Sequence, residues 1–423
     1  MGILLKNGTV IEPVRGEMFS ADVLIEQDKI VSVAASISEE GHTVLPCEGC
    51  MIAPGLVDMH VHLRDPGLTY KEDIATGTAA AAAGGFTAVA CMPNTKPSID
   101  SAEVMDYIRD TAEKTASCRV WPIAAVTVGQ KGAELTDFDL LTEKGAIAFS
   151  DDGVPVSSAK RMRDALKKAG ALGKIVISHC EDEEMVKNYA VNEGVVSEKL
   201  GLPGRPAIAE DLMVARDLML AEETGCHVHI AHVSTKGSAE LIREAKKRGV
   251  PVTAETCPQY FIYTEEEILK KGTLARVNPP LRTADDRQAI LEAVVDGTLD
   301  CIVTDHAPHS AEEKAKTLPD APSGMVGLET SLAACITYLV KPGHITLPAL
   351  MEKMSVIPTE ILGMSATFIE EGANADIVVF DPEEAWTVDP EQFRSKARNT
   401  VFSGEKLFGK VKYTLCGGKI THS

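Results

Sequence analysis

Through the middle of this 423-residue chain a strand-like apolar run returns about every thirty to forty residues, usually with a helical pattern behind it. The runs are Pro54 to His62, Phe86 to Asn94, Arg119 to Thr127, Gly145 to Gly153, Lys174 to Glu181, His227 to Ser234, Pro251 to Tyr260 and Leu299 to His309. Helical spacing fills Ser101 to Ala116, Ala159 to Ala169, Glu210 to Glu223 and Gly237 to Arg248, with Gly or Pro at several ends. Eight such units predict a TIM-type (β/α)8 barrel, an α/β fold whose active site lies at the C-terminal ends of its strands. The rival, a doubly wound open sheet, lacks a glycine fingerprint for phosphates after the first strand.

Both ends of the chain have a different texture. Ile3 to Leu5 and Thr9 to Ile11 flank Asn7-Gly8, which reads as a hairpin turn, and Val23 to Glu26 and Lys29 to Val33 flank Gln27-Asp28. Asp376 to Phe380, Val411 to Leu415 and a Gly417-Gly418 turn resume the pattern at the far end. Neither piece has enough strands to close a core, so a small β-sandwich domain built from residues 1–52 and 364–423 is expected beside a barrel over 53–363.

Composition narrows the partners. Sixty-two acidic against 42 basic residues give a net charge of −20, which argues against nucleic acid and anionic membranes. Aromatics at 4% leave no stacking platform for single strands, and the core must be aliphatic. The uncharged run from Ile74 to Met92 reaches membrane length, but Gly84-Gly85 breaks it, and helix-turn-strand is the better reading. Ten scattered cysteines with one close pair, Cys47 and Cys50, read as buried thiols. With no apolar leader at the start, they point to a cytoplasmic protein.

The polar residues of the apolar runs gather at their ends. His60 and His62 end the first, Asn94 the second, Asp152 the fourth, His179 the fifth, His232 the sixth, and Asp305 with His309 the eighth. On a strand, His60 and His62 point to one side, a bidentate grip for a metal. His60, His62 and Asp305 can hold one ion and His179 and His232 a second, with Asp152 between them. His227 and His229 alternate onto the face opposite His232, and His306 lies opposite Asp305, so these three are set aside.

Pro54 to Gly67, which contains Asp-Met-His-Val-His-Leu-Arg-Asp-Pro-Gly, resembles the opening signature of the cyclic-amidohydrolase superfamily and, within it, the bacterial class I dihydroorotase family. The likeness continues through Met92 to Asn94, Phe149 to Gly153, Ser178 to Glu181, Ala231 to Ser234, Asn278 to Arg282 and Thr304 to His309. The resemblance implies reversible cyclisation of N-carbamoyl-L-aspartate to L-dihydroorotate and water, by a metal-bridging hydroxide. It implies His60, His62, Asp152, His179, His232 and Asp305 as metal ligands, with Asp305 also the general acid/base. His62, Leu63, Arg64, Asn94, Asn278, His309, Ser323 and Gly324 match substrate-binding positions. Mixed imidazole and carboxylate ligands favour zinc, two ions per subunit.

Many superfamily members carry a bridging lysine on the fourth strand. Here Lys144 precedes that strand and Lys160 lies well beyond it, which leaves Asp152 as the bridge. Other readings are a dihydropyrimidinase, hydantoinase or allantoinase, which usually keep the lysine, and an inactive barrel, which tends to lose ligands. A homo-oligomer, in particular a dimer, is expected, and the resemblance raises association with aspartate transcarbamoylase. The polar stretch Ser310 to Ala321 reads as a lid over the substrate.

Overall fold

A computed structural model describes residues 2–187 and 189–423. The terminal segments form one eight-stranded sheet. From the start of the chain come β1 (Ile3–Glu12), β2 (Glu17–Glu26), β3 (Lys29–Ala34), β4 (Thr43–Pro46) and β5 (Met51–Pro54). The central strands are β6 (Leu56–Val61), β7 (Phe86–Cys91), β8 (Arg119–Pro122), β9 (Ala124–Ala125), β10 (Phe149–Ser150), β11 (Val176–Ser178), β12 (Val191–Asn192), β13 (Gly204–Arg205), β14 (Val228–Ile230), β15 (Val252–Thr256) and β16 (Cys301–Ile302). The end of the chain adds β17 (Ile377–Thr387), β18 (Lys406–Cys416) and β19 (Lys419–His422) to the terminal sheet, in the order β19-β18-β17-β5-β1-β2-β3 with β4 also on β1.

Each of the eight apolar runs supplies one stave of a parallel barrel. β6, β7 and β8 pair in sequence, and β9 through β11 continue into β14, β15 and β16. β8 and β9 are two parts of the third stave, interrupted at Ile123. The ring closes where Val61 bridges His306 and the His62 amide donates to the His306 carbonyl at 2.9 Å. Helices Ala102–Thr115, Ala159–Ala171, Ile208–Thr224 and Lys236–Lys247 fall where the spacing predicts them.

Two turns come out as expected and one does not. Gln27 at φ 56° joins β2 to β3, and Gly417 and Gly418, both at positive φ, join β18 to β19. Asn7-Gly8 is not a hairpin. Asn7 does adopt φ 59°, but β1 runs straight through it, and the irregularity is a bulge opposite β2. The bulge survives because Asp22 on β2 takes the Asn7 amide at 2.8 Å and the Lys6 ammonium at 2.7 Å, so local partners replace the turn.

The long uncharged run splits into helix Ile74–Ala83, Gly84-Gly85 and strand β7. A Cβ on Gly84 would stand 2.0 Å from the Leu328 carbonyl oxygen, and Gly85 sits at φ 93°, so the break needs both glycines. Among the described residues no helix is long and apolar enough to cross a membrane. All ten cysteines are free, and Cys47 and Cys50 lie in the apolar core of the terminal sheet, where burial pushes the Cys47 thiol up to about 12.

Behind the fourth stave, Phe149 stacks on Phe138 of helix Phe138–Glu143 with centroids 3.9 Å apart and planes 12° apart, both fully buried. This contact fixes the strand three residues before Asp152. Phe138→Ala is therefore expected to lower the unfolding free energy by about 3–5 kcal/mol, read from the urea midpoint. A change within 1 kcal/mol, on the order of a surface substitution, would show that the stack does not hold the strand.

Candidate active site

The C-terminal ends of the staves bring the six expected ligand residues into one buried cluster. Asp152 is its centre. Its Oδ2 lies 3.4 Å from His60 Nε2 and 3.5 Å from His62 Nε2, and its Oδ1 lies 3.2 Å from both His179 Nδ1 and His232 Nε2. One carboxylate oxygen thus faces each pair of imidazoles. Asp305 Oδ1 adds contacts of 3.1 Å to His62 Nε2 and 3.7 Å to His60 Nε2.

Local backbone makes this convergence. β10 ends at Ser150, β11 at Ser178, β14 at Ile230 and β16 at Ile302, so Asp152, His179, His232 and Asp305 all stand just past a strand end. His232 and Asp305 have φ of 32° and 48°, and Arg64 has 60°, conformations that non-glycine residues adopt only under constraint. Asp58, buried under the cluster, supplies part of it: its two oxygens take the amides of His60 at 3.0 Å and Thr304 at 3.1 Å.

The electrostatics are those of a site built for a cation. Burial pushes the Asp152 carboxyl up, but His60, His179 and His232 outweigh it and hold it well below the usual range. Burial pushes His179 down, yet Asp152 and Glu181 carry it up to about 10. His60, His62 and Asp305 offer atoms all within 4.8 Å of one another, as do His60, Asp152 and His232. His60 Nε2 is buried with no hydrogen-bond partner among the described residues, an orphan that a metal ion would satisfy. The donor set of imidazoles and carboxylates therefore fits divalent metal.

Beside this cluster the expected substrate residues fall into three groups. Arg64 is buried, donates Nε to the Pro308 carbonyl at 3.2 Å, and has no carboxylate within ion-pair reach among the described residues. Burial lowers it to about 10, still a cation at neutral pH. His309 donates Nε2–H to the Ser323 carbonyl at 2.8 Å, which leaves Nδ1 to accept from Lys71 at 3.2 Å. Asn94 takes His62 Nδ1 on its Oδ1 at 2.8 Å and borders a cavity of about 430 Å³ lined also by Lys96, Gln130, Asp152 and Gly153.

Asn278 sits on the far side, against Arg205 and within 3.4 Å of Glu181 Oε2. Gly324 has φ 134°, and a Cβ there would lie 2.8 Å from Ala307 Cβ and 3.1 Å from His309 Nε2, so glycine alone keeps the backbone approachable. Leu63 buries its side chain under helix Ile74–Ala83, against Gly77, which leaves only its backbone for the site. Asp151 turns away to accept from Thr127, and His306 turns to Glu72 at 3.5 Å.

Other placements differ from the sequence reading. His229 faces the barrel interior, where Glu255 Oε2 lies 3.1 Å from its Nε2. Alternation from His232 misplaced it because His232 lies beyond the strand, past the change of backbone direction. Glu255, Asp58, Glu181 and Arg205 were not singled out; a carboxylate inside the apolar run Val252 to Thr256 was the available signal for the first. The stretch after His309, expected as a lid, is tied to its surroundings at several points. Ser310 caps helix Ala311–Lys314, Glu313 pairs with Lys71 at 2.9 Å, and the buried Lys314 ammonium donates to the carbonyls of Arg276, Pro322 and Gly324.

Burial first, then the Arg64, Lys71 and Lys314 cations, push His309 down to about 2. An unfolded histidine gains a proton below about pH 6.5 and the folded one does not, so stability falls as pH drops from about 6.5 toward 2. The slope is about 1.4 kcal/mol per pH unit once the unfolded imidazole is charged. Between pH 6 and 5 the chelator-treated wild type is expected to lose about 1 kcal/mol more than His309→Gln in urea unfolding. Parallel curves for the two proteins would rule out a neutral His309.

Residues 49–238 match the family model described as "Dihydro-orotase-like". The solved structures of L-hydantoinase (dihydropyrimidinase) from Arthrobacter aurescens and dihydropyrimidinase from Brevibacillus agri superpose with TM-scores of 0.88 and 0.84. Each alignment covers 99% of this chain and 95% of the other, at 24% and 23% identity, a likeness of fold: a TIM-barrel with a β-sandwich domain from the termini. The chain is 50% identical over 420 residues to the dihydroorotase of Pelotomaculum thermopropionicum, covering 99% of this chain and 98% of that one. It is 49% identical over 418 residues to that of Acetivibrio thermocellus, at the same coverage, and 47% over 422 to that of Clostridioides difficile, with 100% of both covered. Identity of this extent over the full length makes the chain a hydrolase of the cyclic-amidohydrolase superfamily, and within it a member of the dihydroorotase family.

Proposed function

We propose that the chain is a dihydroorotase that interconverts N-carbamoyl-L-aspartate with L-dihydroorotate and water in pyrimidine synthesis. The observation that carries this reading is Arg64, a buried guanidinium without a carboxylate partner among the described residues, beside a cluster suited to metal. Dihydroorotate differs from dihydrouracil and hydantoin in its ring carboxylate, and a planar guanidinium fork is the group that binds one. Uncharged cyclic amides would leave Arg64 unpaired. An inactive barrel is disfavoured because all six expected ligands stand together.

His60, His62 and Asp305 would hold one ion and His179 and His232 a second, with Asp152 offering one oxygen to each group. Zinc suits the donor set, two per subunit. A divalent ion bound there supplies Lewis-acid polarisation of a carbonyl and a water whose pKa falls toward neutral. The protein's own groups do the rest. Arg64 and His309 orient the substrate carboxylate, with Asn94 beside them. Asn278 and the backbone of Leu63, Ser323 and Gly324 border the ring. Asp305, with Oδ1 turned to the cluster, carries a proton to the ring nitrogen as the amide opens and takes it back in the reverse direction.

Assembly as a homodimer belongs to the same reading and is supported by exposed Ile208, Leu212 and Met219 along one helix. Free buried thiols support a cytoplasmic setting, and association with aspartate transcarbamoylase remains part of the proposal.

Metal analysis paired with assays on both substrates tests this directly. The active protein is expected to hold at least about one zinc per chain, to lose turnover on chelation and to regain it with zinc. Asp305→Ala should lower kcat by about 10²–10⁴-fold with the fold retained. Arg64→Lys should lower kcat/KM for dihydroorotate by about tenfold or more while leaving dihydrouracil turnover near its low starting value. Faster turnover of dihydrouracil or hydantoin than of dihydroorotate would overturn the assignment.

A further inference from the structure

Below the cluster, a line of polar side chains runs down the barrel interior. Glu255 on β15 is fully buried. Its Oε1 lies 2.5 Å from His60 Nδ1 and 3.3 Å from the His232 amide, and its Oε2 lies 3.1 Å from His229 Nε2. His229 Nδ1 in turn meets the Thr253 hydroxyl at 2.8 Å, and His227 Nε2 meets the same hydroxyl at 2.8 Å. Strand register produces this alignment: His229 pairs with Thr253 across β14 and β15, so their side chains share the interior face with Glu255.

We propose that Glu255, held by His229, is a positioning residue that fixes the proton of His60 on Nδ1 and so aims the Nε2 lone pair at the candidate metal site. A carboxylate only accepts, so the imidazole nitrogens at its two oxygens must both donate. His60 Nδ1–H is thereby committed to Glu255. A neutral imidazole has one N–H, and the bare nitrogen is Nε2, the atom 3.4 Å from Asp152 Oδ2 and 3.7 Å from Asp305 Oδ1 that has no hydrogen-bond partner. Asn94 does the same for His62 through Nδ1, but with a neutral oxygen. The carboxylate adds negative charge behind His60 and raises its basicity toward a metal.

His229, Glu255 and Cys301 also present three donor atoms within 4.8 Å of one another. Glu255 Oε1 is committed to His60 Nδ1 and its Oε2 to His229 Nε2, so Glu255 and His229 serve as a hydrogen-bonded support for His60. His229 donates to the second oxygen and so holds the carboxylate in place, which matters because a buried carboxylate oxygen without a donor is costly.

The proposal rests on the reading of the His60 cluster as a metal site. Its test uses the full chain, with zinc affinity measured by competition against a chromophoric chelator, imidazole ligands counted by X-ray absorption, and melting of the metal-free protein as control. Glu255→Gln is expected to weaken zinc by about 10–100-fold without lowering the metal-free melting point. His229→Leu, which removes the donor, should weaken zinc by about tenfold, and His229→Gln, whose amide N–H replaces Nε2–H, should restore it. Glu255→Gln that binds zinc as tightly as wild type, with the same imidazole count, overturns the positioning role alone. Should Glu255→Gln not fold, equal zinc affinities for His229→Leu and His229→Gln overturn it instead. Wild type that takes up no zinc overturns the metal reading and the proposal together.

Discussion

The seam between the first and last barrel strands is the contact on which the site depends. β6 and β16 are separated by some 240 residues of chain, yet the His62 amide donates to the His306 carbonyl and Asp58 ties His60 to Thr304. Without that closure His60 and His62 would have neither Asp305 nor the Asp152 oxygen that faces them. Asp58 is an expensive choice for this task, since burial pushes its carboxyl up to about 7. Both its oxygens accept backbone amides, so the cost is offset by registering two strands at once. The Asp of the Asp-x-His-x-His signature thus acts on the backbone, and the two histidines face the carboxylates of Asp152 and Asp305.

Much of this was legible because barrels write their geometry into sequence with a coarse period. Eight apolar runs mark eight staves, and polar residues at their ends mark the mouth. What could not be read was any feature set by two strands together. Asn7-Gly8 has the local chemistry of a turn, but Asp22 across the sheet converts it to a bulge. His229 has the alternation of an outward residue only if counting starts from His232, which lies past the strand end at positive φ. Glu255 looked like one more acid; its role exists only through His60, 195 residues earlier in the chain. Residues that touch a ligand cluster at strand ends, whereas residues that aim them lie deeper and carry no end signal.

The net charge of −20 describes the outer surface and says little of the mouth. There the cations are buried and only partly paired. Arg64 lacks a carboxylate, Lys314 spends its donors on three carbonyls, and Lys71 is shared between Glu313 and His309. On the proposed reading, a small anion would meet Arg64 and the divalent metal that the carboxylate-rich cluster would hold only after leaving bulk solvent, and polyanions too large to enter would meet the acidic exterior.

The pairing pattern also orders the events of binding. His309 Nε2–H is engaged by Ser323, and Asn94 Oδ1 by His62. Among the described residues Arg64 has no ion-pair partner, so on the proposed reading it is the group that would capture the anion first. His309 would then gain by exchanging the Ser323 carbonyl for a carboxylate, a stronger acceptor. The Ser323 carbonyl adjoins Gly324, which packs so closely on Ala307 and His309 that a Cβ would clash there. Capture by Arg64 would thus free the Ser323 carbonyl, while the Lys314 bonds to the carbonyls of Arg276, Pro322 and Gly324 keep the neighbouring wall in place.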